Sequence, residues 1–166
     1  QSSAVEGFNV NIKGTSNYED TKDSDVIIIT AGVPRKPGMS RDDLLAINLK
    51  IIKQVSDGIK TTSPKAFVIC ITNPLDVIVS ALQKYTNFKH NKVVGMAGIL
   101  DTSRFIFFLS EHLGVETSKI KSFVLGGHGD SMVAMLNHTY IDGISISELV
   151  KNGKLKKDKL DSIIDR

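Results

Sequence analysis

The chain is short of cysteine and of long apolar runs, and each shortage removes a class of protein. Cys70 is the only cysteine among 166 residues. No disulfide can form within the chain, so a reducing, cytoplasmic compartment is the expectation. Cys70 lies in the apolar run Ala66-Phe67-Val68-Ile69-Cys70-Ile71. It reads there as an inert core residue rather than a nucleophile. No apolar stretch approaches the ~20 residues of a spanning helix, so no membrane association is expected. The opening Gln1-Ser2-Ser3 is polar, lacks a Met and carries no signal-peptide pattern. It reads as the start of a processed or truncated chain.

Charge of one sign is scarce too. A net charge of +3 is too small to argue for nucleic acid. The one basic cluster is Lys151, Lys154, Lys156, Lys157 and Lys159, with Asp158, Asp161 and Asp165 among or just after it. That mixture predicts a solvated helix face. No aromatic residue alternates with the lysines, so a single-stranded nucleic acid has no stacking platform. His90, His112 and His138 have no neighbours at metal-ligand spacing, so no metal is expected.

What is present has an order. Asp25 to Thr30 is a short apolar run that predicts a strand covered on both faces, as in a parallel sheet. A loop with Pro and Gly runs through Ser40. Leu45, Leu49, Ile52, Val55 and Ile59 then recur at three- and four-residue steps, predicting a helix from Arg41 to about Lys60. Ser63-Pro64 breaks it. Ala66 to Ile71 predicts a second strand. Thr72-Asn73-Pro74 predicts a turn, with Pro74 as the first residue of a helix reaching about Lys84. Lys92 to Gly95 predicts a third strand. Strand–helix–strand–helix–strand implies a parallel α/β sheet. Asn9 to Lys13 alternates polar and apolar residues, as a strand nearer the edge would.

From Leu100 the texture changes. Asp101 to Leu113 predicts an amphipathic helix closed by Gly114. Phe123 to Leu125 predicts a strand, and Met132–Asn137 with His138–Tyr140 an antiparallel pair near Asp142-Gly143. The fold class expected is α/β, a partial Rossmann-type parallel sheet followed by part of an α+β catalytic domain. The boundary falls at Gly95: residues 1–95 form one unit and 96–166 the start of another.

Several residues suit chemistry. Gly126-Gly127-His128-Gly129-Asp130 sets a histidine among glycines at a strand end. Glycine permits a sharp turn and close approach, and histidine exchanges protons near neutral pH. A tight turn that merely carries a histidine is the plain alternative. Asp101 and Arg104 share a helix face. They read either as a surface ion pair or as a carboxylate fixing the His128 tautomer beside an arginine for a substrate carboxylate. Arg35 and Arg41 bracket a Pro-Gly loop leaving a strand's C-terminal end, where ligands bind in open α/β sheets. Guanidiniums there suit planar pairing with carboxylates; an exposed basic loop is the alternative. Asn73 follows the second strand, as a turn residue or as an amide that orients a ligand. Asn48 lies on the apolar side of its helix, so its amide needs partners, either structural or from a cofactor.

In this order these pieces resemble the lactate/malate dehydrogenase superfamily. The resemblance rests on Thr30-Ala31-Gly32, the loop Arg35 to Arg41, Ile71-Thr72-Asn73-Pro74, Leu100-Asp101-Thr102-Ser103-Arg104 and Gly126-Gly127-His128-Gly129-Asp130. It implies an NAD cofactor and reversible hydride transfer on a 2-hydroxy acid. It implies that His128 carries the proton with Asp101 as partner. Arg104 would bind the 1-carboxylate, Arg41 would polarise the reacting carbonyl, and Asn73 would touch both cofactor and substrate. Thr30, Ala31, Gly32, Asn48, Ile71, Thr72 and Asn73 would line the cofactor site. Arginine at position 35, rather than an uncharged glutamine, implies malate over lactate, in the malate dehydrogenase branch closest to lactate dehydrogenases. L-lactate or another 2-oxo acid remains the alternative substrate, and a non-catalytic fragment of the fold the alternative class. The resemblance also implies a homodimer or homotetramer. The family's Gly-x-Gly-x-x-Gly pyrophosphate turn is absent here, so the chain reads as the middle of such an enzyme. An open sheet edge and unusually exposed Ile, Val and Leu are the expectation.

Overall fold

The computed structural model describes residues 11–129 and 131–164. Its first half alternates strand and helix: β1 (Val26–Ile29), α1 (Arg41–Thr62), β2 (Phe67–Cys70), α2 (Leu75–Thr86) and β3 (Val93–Gly95). The three strands form one parallel sheet in the order β1-β2-β3. Ile29 pairs with Cys70, and Cys70 with Gly95, so all three strands end together at one side of the sheet. The order is the expected one, with each strand trimmed at its ends.

Local chemistry explains the helix bounds. Ser40 caps α1 through a reciprocal box: its hydroxyl accepts from the Asp43 amide at 3.0 Å, and the Asp43 carboxylate accepts from the Ser40 amide at 3.1 Å. The Ser40 hydroxyl, and then its amide, hold the Asp43 carboxyl below its ordinary pKa. At the far end, Ser63 donates its amide to the Ile59 carbonyl and Pro64 follows, where a helix cannot continue. Pro74 is the N-cap of α2 rather than its first turn, and Asn87 closes the helix in a left-handed conformation at φ 58°.

Helix α1 buries Asn48, Ile52, Ser56 and Ile59 on one face, packed with Val68, Cys70, Ile78, Leu82 and Val93 into the first core. Burial pushes the Cys70 thiol upward, which disfavours the thiolate and fits an inert core residue. Ile52 is fully buried. Ile52→Ala is therefore expected to cost about 2–5 kcal/mol through lost transfer energy and a cavity. Ile47 on the same helix is 37% exposed, and its alanine variant should cost clearly less than that of Ile52. Denaturant melts of the two variants check this contrast.

The expectation that β1 is covered on both faces fails. Val26 is 54% and Ile28 61% exposed, because they point to the sheet face opposite Ile27 and Ile29, which carry the packing onto the core. The expected open edge and exposed aliphatics are thus present. The expected strand over Asn9–Lys13 is not: Asn11 to Lys13 are irregular, and Asn9 and Val10 lie outside the described residues.

The second half starts with α3 (Gly98–Leu113), three residues ahead of the expected Asp101. Ala97 is its N-cap and makes no side-chain cap bond, so no residue type announces the start. Gly114, at φ 65°, closes it as expected. Short strands follow: β4 (Ile120–Lys121), β5 (Val124–Leu125), β6 (Val133–Ala134), β7 (Tyr140–Ile141) and β8 (Ile144–Ser145), then α4 (Ile146–Lys151) and α5 (Lys157–Ile164). The expected pairing of Met132–Asn137 with His138–Tyr140 is wrong. β6 pairs with β5, and β7 with β8 and β4. Asp142 (φ 51°) and Gly143 (φ 81°) make the two-residue turn whose twist suits a β7–β8 hairpin. A second core gathers Phe105, Leu109, Ile120, Ile141, Ile146, Leu155 and Leu160. The C-terminal lysines 151, 154, 156, 157 and 159 all face solvent, as expected.

Candidate active site

Two regions gather the residues with chemical potential. The first is the C-terminal end of the parallel strands. Ile71 donates its amide to the Ile29 carbonyl at 2.9 Å, and the Thr72 hydroxyl donates to the Ala31 carbonyl at 2.8 Å. Thr30 to Gly32 and Ile71 to Asn73 are thereby tied side by side. A methyl group on Gly32 would come within 2.6 Å of Thr72 Cγ2 and 3.3 Å of Asn48 Oδ1, so only glycine fits. Thr30 and Asn73 are exposed and offer a hydroxyl and an amide. That donor set, at the carboxyl ends of parallel strands, fits the polar parts of a dinucleotide.

Asn48, expected to line the cofactor site, spends its amide on backbone groups of the same edge. Its side-chain carbonyl accepts from the Val33 amide at 2.8 Å. Its two N–H groups serve the carbonyls of Val33 at 3.3 Å and Asn73 at 3.0 Å. The residue is 1% exposed, and no donor remains for a ligand.

The loop between β1 and α1 carries the two arginines. Arg35 donates Nε–H to the Met39 carbonyl at 3.0 Å, and Gly38 turns the loop at φ 80°. Arg41 opens α1. Both arginines are exposed, and neither meets a carboxylate among the described residues.

The second region is the histidine turn. The β5–β6 pair holds its two ends, and the Thr102 hydroxyl accepts the Val124 amide at 2.9 Å. Helix α3 thus anchors the strand that delivers His128. Gly126, at φ 107°, has no room for a side chain because a Cβ would strike the Ser131 carbonyl oxygen. Asp130 lies outside the described residues. From the first turn of α3, Asp101 Oδ2 stands 3.0 Å from His128 Nδ1. Asp101 is 7% exposed, and a carboxylate so buried needs a partner. An imidazole that donates from Nδ1 to Asp101 keeps Nε2 as its acceptor in the neutral ring. Arg104 Nη1 lies 3.8 Å from Asp101 Oδ1, with its side chain 61% exposed. That contact alone contributes little, about 0–1 kcal/mol, and its guanidinium stays available to an anion.

His128 lines a cleft of about 320 Å³ with Gly126, Gly98, Asp76 and His90. Asp101 and Arg104 border an adjoining hollow of about 130 Å³. The fold therefore brings His128, Asp101 and Arg104 together. No hydrogen bond or ion pair links them to Arg35, Arg41 or Asn73 among the described residues. Sequence reasoning missed Asp76, whose Oδ2 lies 3.1 Å from where a Cβ of Gly127 would sit. The only signal was an acidic residue in the first turn of α2. Among the described residues no cluster of His, Cys, Asp and Glu could hold a metal, and no helix is long and apolar enough to cross a membrane.

Known proteins resemble this chain in sequence and fold. The lactate/malate dehydrogenase NAD binding domain matches residues 1–95, and the lactate/malate dehydrogenase alpha/beta C-terminal domain matches residues 99–166. A malate dehydrogenase of Pelagibacter ubique (strain HTCC1062) is 63% identical over the whole chain, which covers 52% of that relative. A malate dehydrogenase of Francisella tularensis subsp. novicida (strain U112) is 52% identical, again over the whole chain and 52% of the relative. The chain thus spans about half the length of the curated relatives it matches. Among solved structures, malate dehydrogenase from Plasmodium falciparum in complex with NADH aligns at a TM-score of 0.86 and 42% identity, over 98% of this chain and 51% of that one. Lactate dehydrogenase from Cryptosporidium parvum, complexed with lactic acid and nicotinamide adenine dinucleotide, aligns at 0.89 and 44%, over 98% and 51%. The chain belongs to the lactate/malate dehydrogenase family.

Proposed function

We propose that the protein is an NAD-dependent malate dehydrogenase, with residues 1–95 in its cofactor domain and 96–166 opening its catalytic domain. The observation that carries this is the 3.0 Å bond between His128 and buried Asp101, with Arg104 beside it. When bound, NAD accepts a hydride from C2 of malate, or NADH returns it to oxaloacetate. The chain's own residues handle the rest. In reduction, the His128 imidazolium gives its Nε2 proton to the keto oxygen, while Asp101 holds the ring and stabilises its charge. Oxaloacetate, NADH and one proton thus become malate and NAD. Arg104 grips the 1-carboxylate, Arg41 polarises the reacting carbonyl, and Asn73 orients cofactor and substrate. Thr30 to Gly32 and Ile71 to Asn73 line the cofactor site.

Arg35 selects the substrate. Oxaloacetate carries a second carboxylate that pyruvate lacks, and a guanidinium closed over pyruvate would be left unpaired. The lactate dehydrogenase at a TM-score of 0.89 keeps 2-oxo-acid reduction without malate preference as the second reading. Exposed Ile99, Leu100 and Phe107 along α3 support a homodimer or homotetramer, and the lone buried thiol of Cys70 supports a cytoplasmic setting.

NADH oxidation by the full-length protein tests the proposal. Oxaloacetate is expected to be reduced with far higher kcat/KM than pyruvate. Equal use of both, or of neither, overturns it.

A further inference from the structure

We infer that Thr102 is a positioning residue for His128: it holds the strand that delivers the histidine at the distance from α3 at which Asp101 meets the ring. This rests on the dehydrogenase reading, because the task it assigns lies within that site. The link is the peptide between Phe123 and Val124. A planar trans peptide points its carbonyl and its N–H to opposite sides. Here the Phe123 carbonyl accepts from the Met135 amide at 2.9 Å, just past the end of β6. The Val124 N–H, on the other side, donates to the Thr102 hydroxyl at 2.9 Å. One peptide unit is thus bonded toward β6 and toward α3. Thr102 follows Asp101 on the helix, and His128 comes four residues after Val124. The Thr102–Val124 bond and the 3.0 Å Asp101–His128 bond therefore join the same two segments at two points. A single bond would leave the turn free to swing about it, whereas two fix both its distance and its angle.

Two further features support this role. Gly98 lies one turn before Thr102 on α3, and a Cβ there would stand 3.1 Å from the Val124 carbonyl oxygen. The strand backbone therefore runs close against the helix at Val124. The Val124 side chain is buried with Phe105 and Leu109 in the second core, but apolar packing is non-directional and does not set an angle. The turn that follows is rich in glycine, whose backbone is permissive, so the turn alone does not hold the ring either. The directional bond to Thr102 is what passes the placement of α3 on to the histidine. A shift of about 1 Å at such an anchor is enough to cost about 100-fold in rate where reacting groups must be aligned.

The test uses Thr102→Val in the full-length protein, which keeps the branched shape and removes the acceptor. Affinity for NADH, read by fluorescence titration, is expected to change by less than about threefold, whereas kcat with oxaloacetate falls by at least about 10-fold. In a His128→Asn background the same change is expected to cost less than about threefold further, because its effect runs through the ring. Equal losses in both backgrounds, a loss confined to NADH affinity, or no loss at all overturns the inference. Thr102→Ser keeps a hydroxyl that can accept the Val124 N–H, so its kcat is expected to stay within about threefold of wild type. Should Thr102→Val not fold, Thr102→Ser decides: retained turnover upholds the inference, and a folded variant that loses about 10-fold overturns it. The nitrogen resonance of His128 Nδ1 gives a readout independent of turnover. It is expected to shift in Thr102→Val and to stay in place in Thr102→Ser; an unmoved resonance in Thr102→Val overturns the inference. An active wild type with an unaffected valine variant sinks only the role of Thr102. An inactive wild type sinks the dehydrogenase reading, and the resonance then decides on Thr102 by itself.

Discussion

His128→Asn in the full-length protein is expected to slow oxaloacetate reduction at saturating substrate by about 10²–10⁴-fold, the range for losing a general acid–base. That corresponds to about 3–5 kcal/mol of transition-state stabilisation. The loss should fall on kcat more than on NADH affinity, because the side chain is expected to meet the substrate oxygen and not the cofactor. Asparagine can still donate to Asp101, so the fold should survive; this separates lost chemistry from lost structure. The geometry gives the reason for the size. Asp101 is buried and its near oxygen lies 3.0 Å from Nδ1, so the ring is held in place by its Nδ1 side. Asp101→Asn should be milder on binding yet still harmful, since an amide can hold the ring in the wrong tautomer. Near-normal turnover by His128→Asn would remove histidine from the reaction.

Arg35→Gln is expected to erase most of the preference for oxaloacetate. Magnitudes decide what to look for. In the open loop seen here Arg35 is exposed, and a surface ion pair is worth only about 0.2–1 kcal/mol, at most a few-fold. With the loop closed over substrate and water excluded, breaking a desolvated charge pair costs about 2–5 kcal/mol, or roughly 30- to 5,000-fold in kcat/KM. Pyruvate, with no second carboxylate, should change far less. The size of the loss therefore reports closure as well as contact. A variant that keeps its full preference for oxaloacetate would show that another residue selects the substrate. Glycine at position 38, at φ 80°, and two short-range bonds, Arg35 Nε–H to the Met39 carbonyl and the Met39 amide to the Lys36 carbonyl, leave the loop lightly held, as a closing segment must be.

How much of this is legible in the sequence differs by element. The three parallel strands and α1 were, because apolar runs and a three-to-four-residue repeat report burial directly. The Asp101–His128 bond was legible only through the order of motifs, since the two residues are 27 positions apart and nothing local joins them. Helix α3 begins at Gly98 without a capping side chain, so its start left no mark in the residue types. The β-strands after residue 120 are two residues long. At that length alternation carries no information, and the pairing was misread although Asp142-Gly143 marked a hairpin correctly. Exposure of Val26 and Ile28 is not a property of their run. An identical apolar run would be buried or bare according to what lies beside it. Asn48 shows the same limit from the other side: its place on the apolar face was visible, but which backbone groups would occupy its amide was not.

The chemistry turns on one proton, and nitrogen NMR of the His128 imidazole in the full-length protein locates it. In the neutral ring the proton is expected on Nδ1, coupled to Asp101, with Nε2 unprotonated and open to the substrate oxygen. A neutral ring protonated on Nε2, with a bare Nδ1 facing Asp101, would contradict the assignment of this pair as the proton relay.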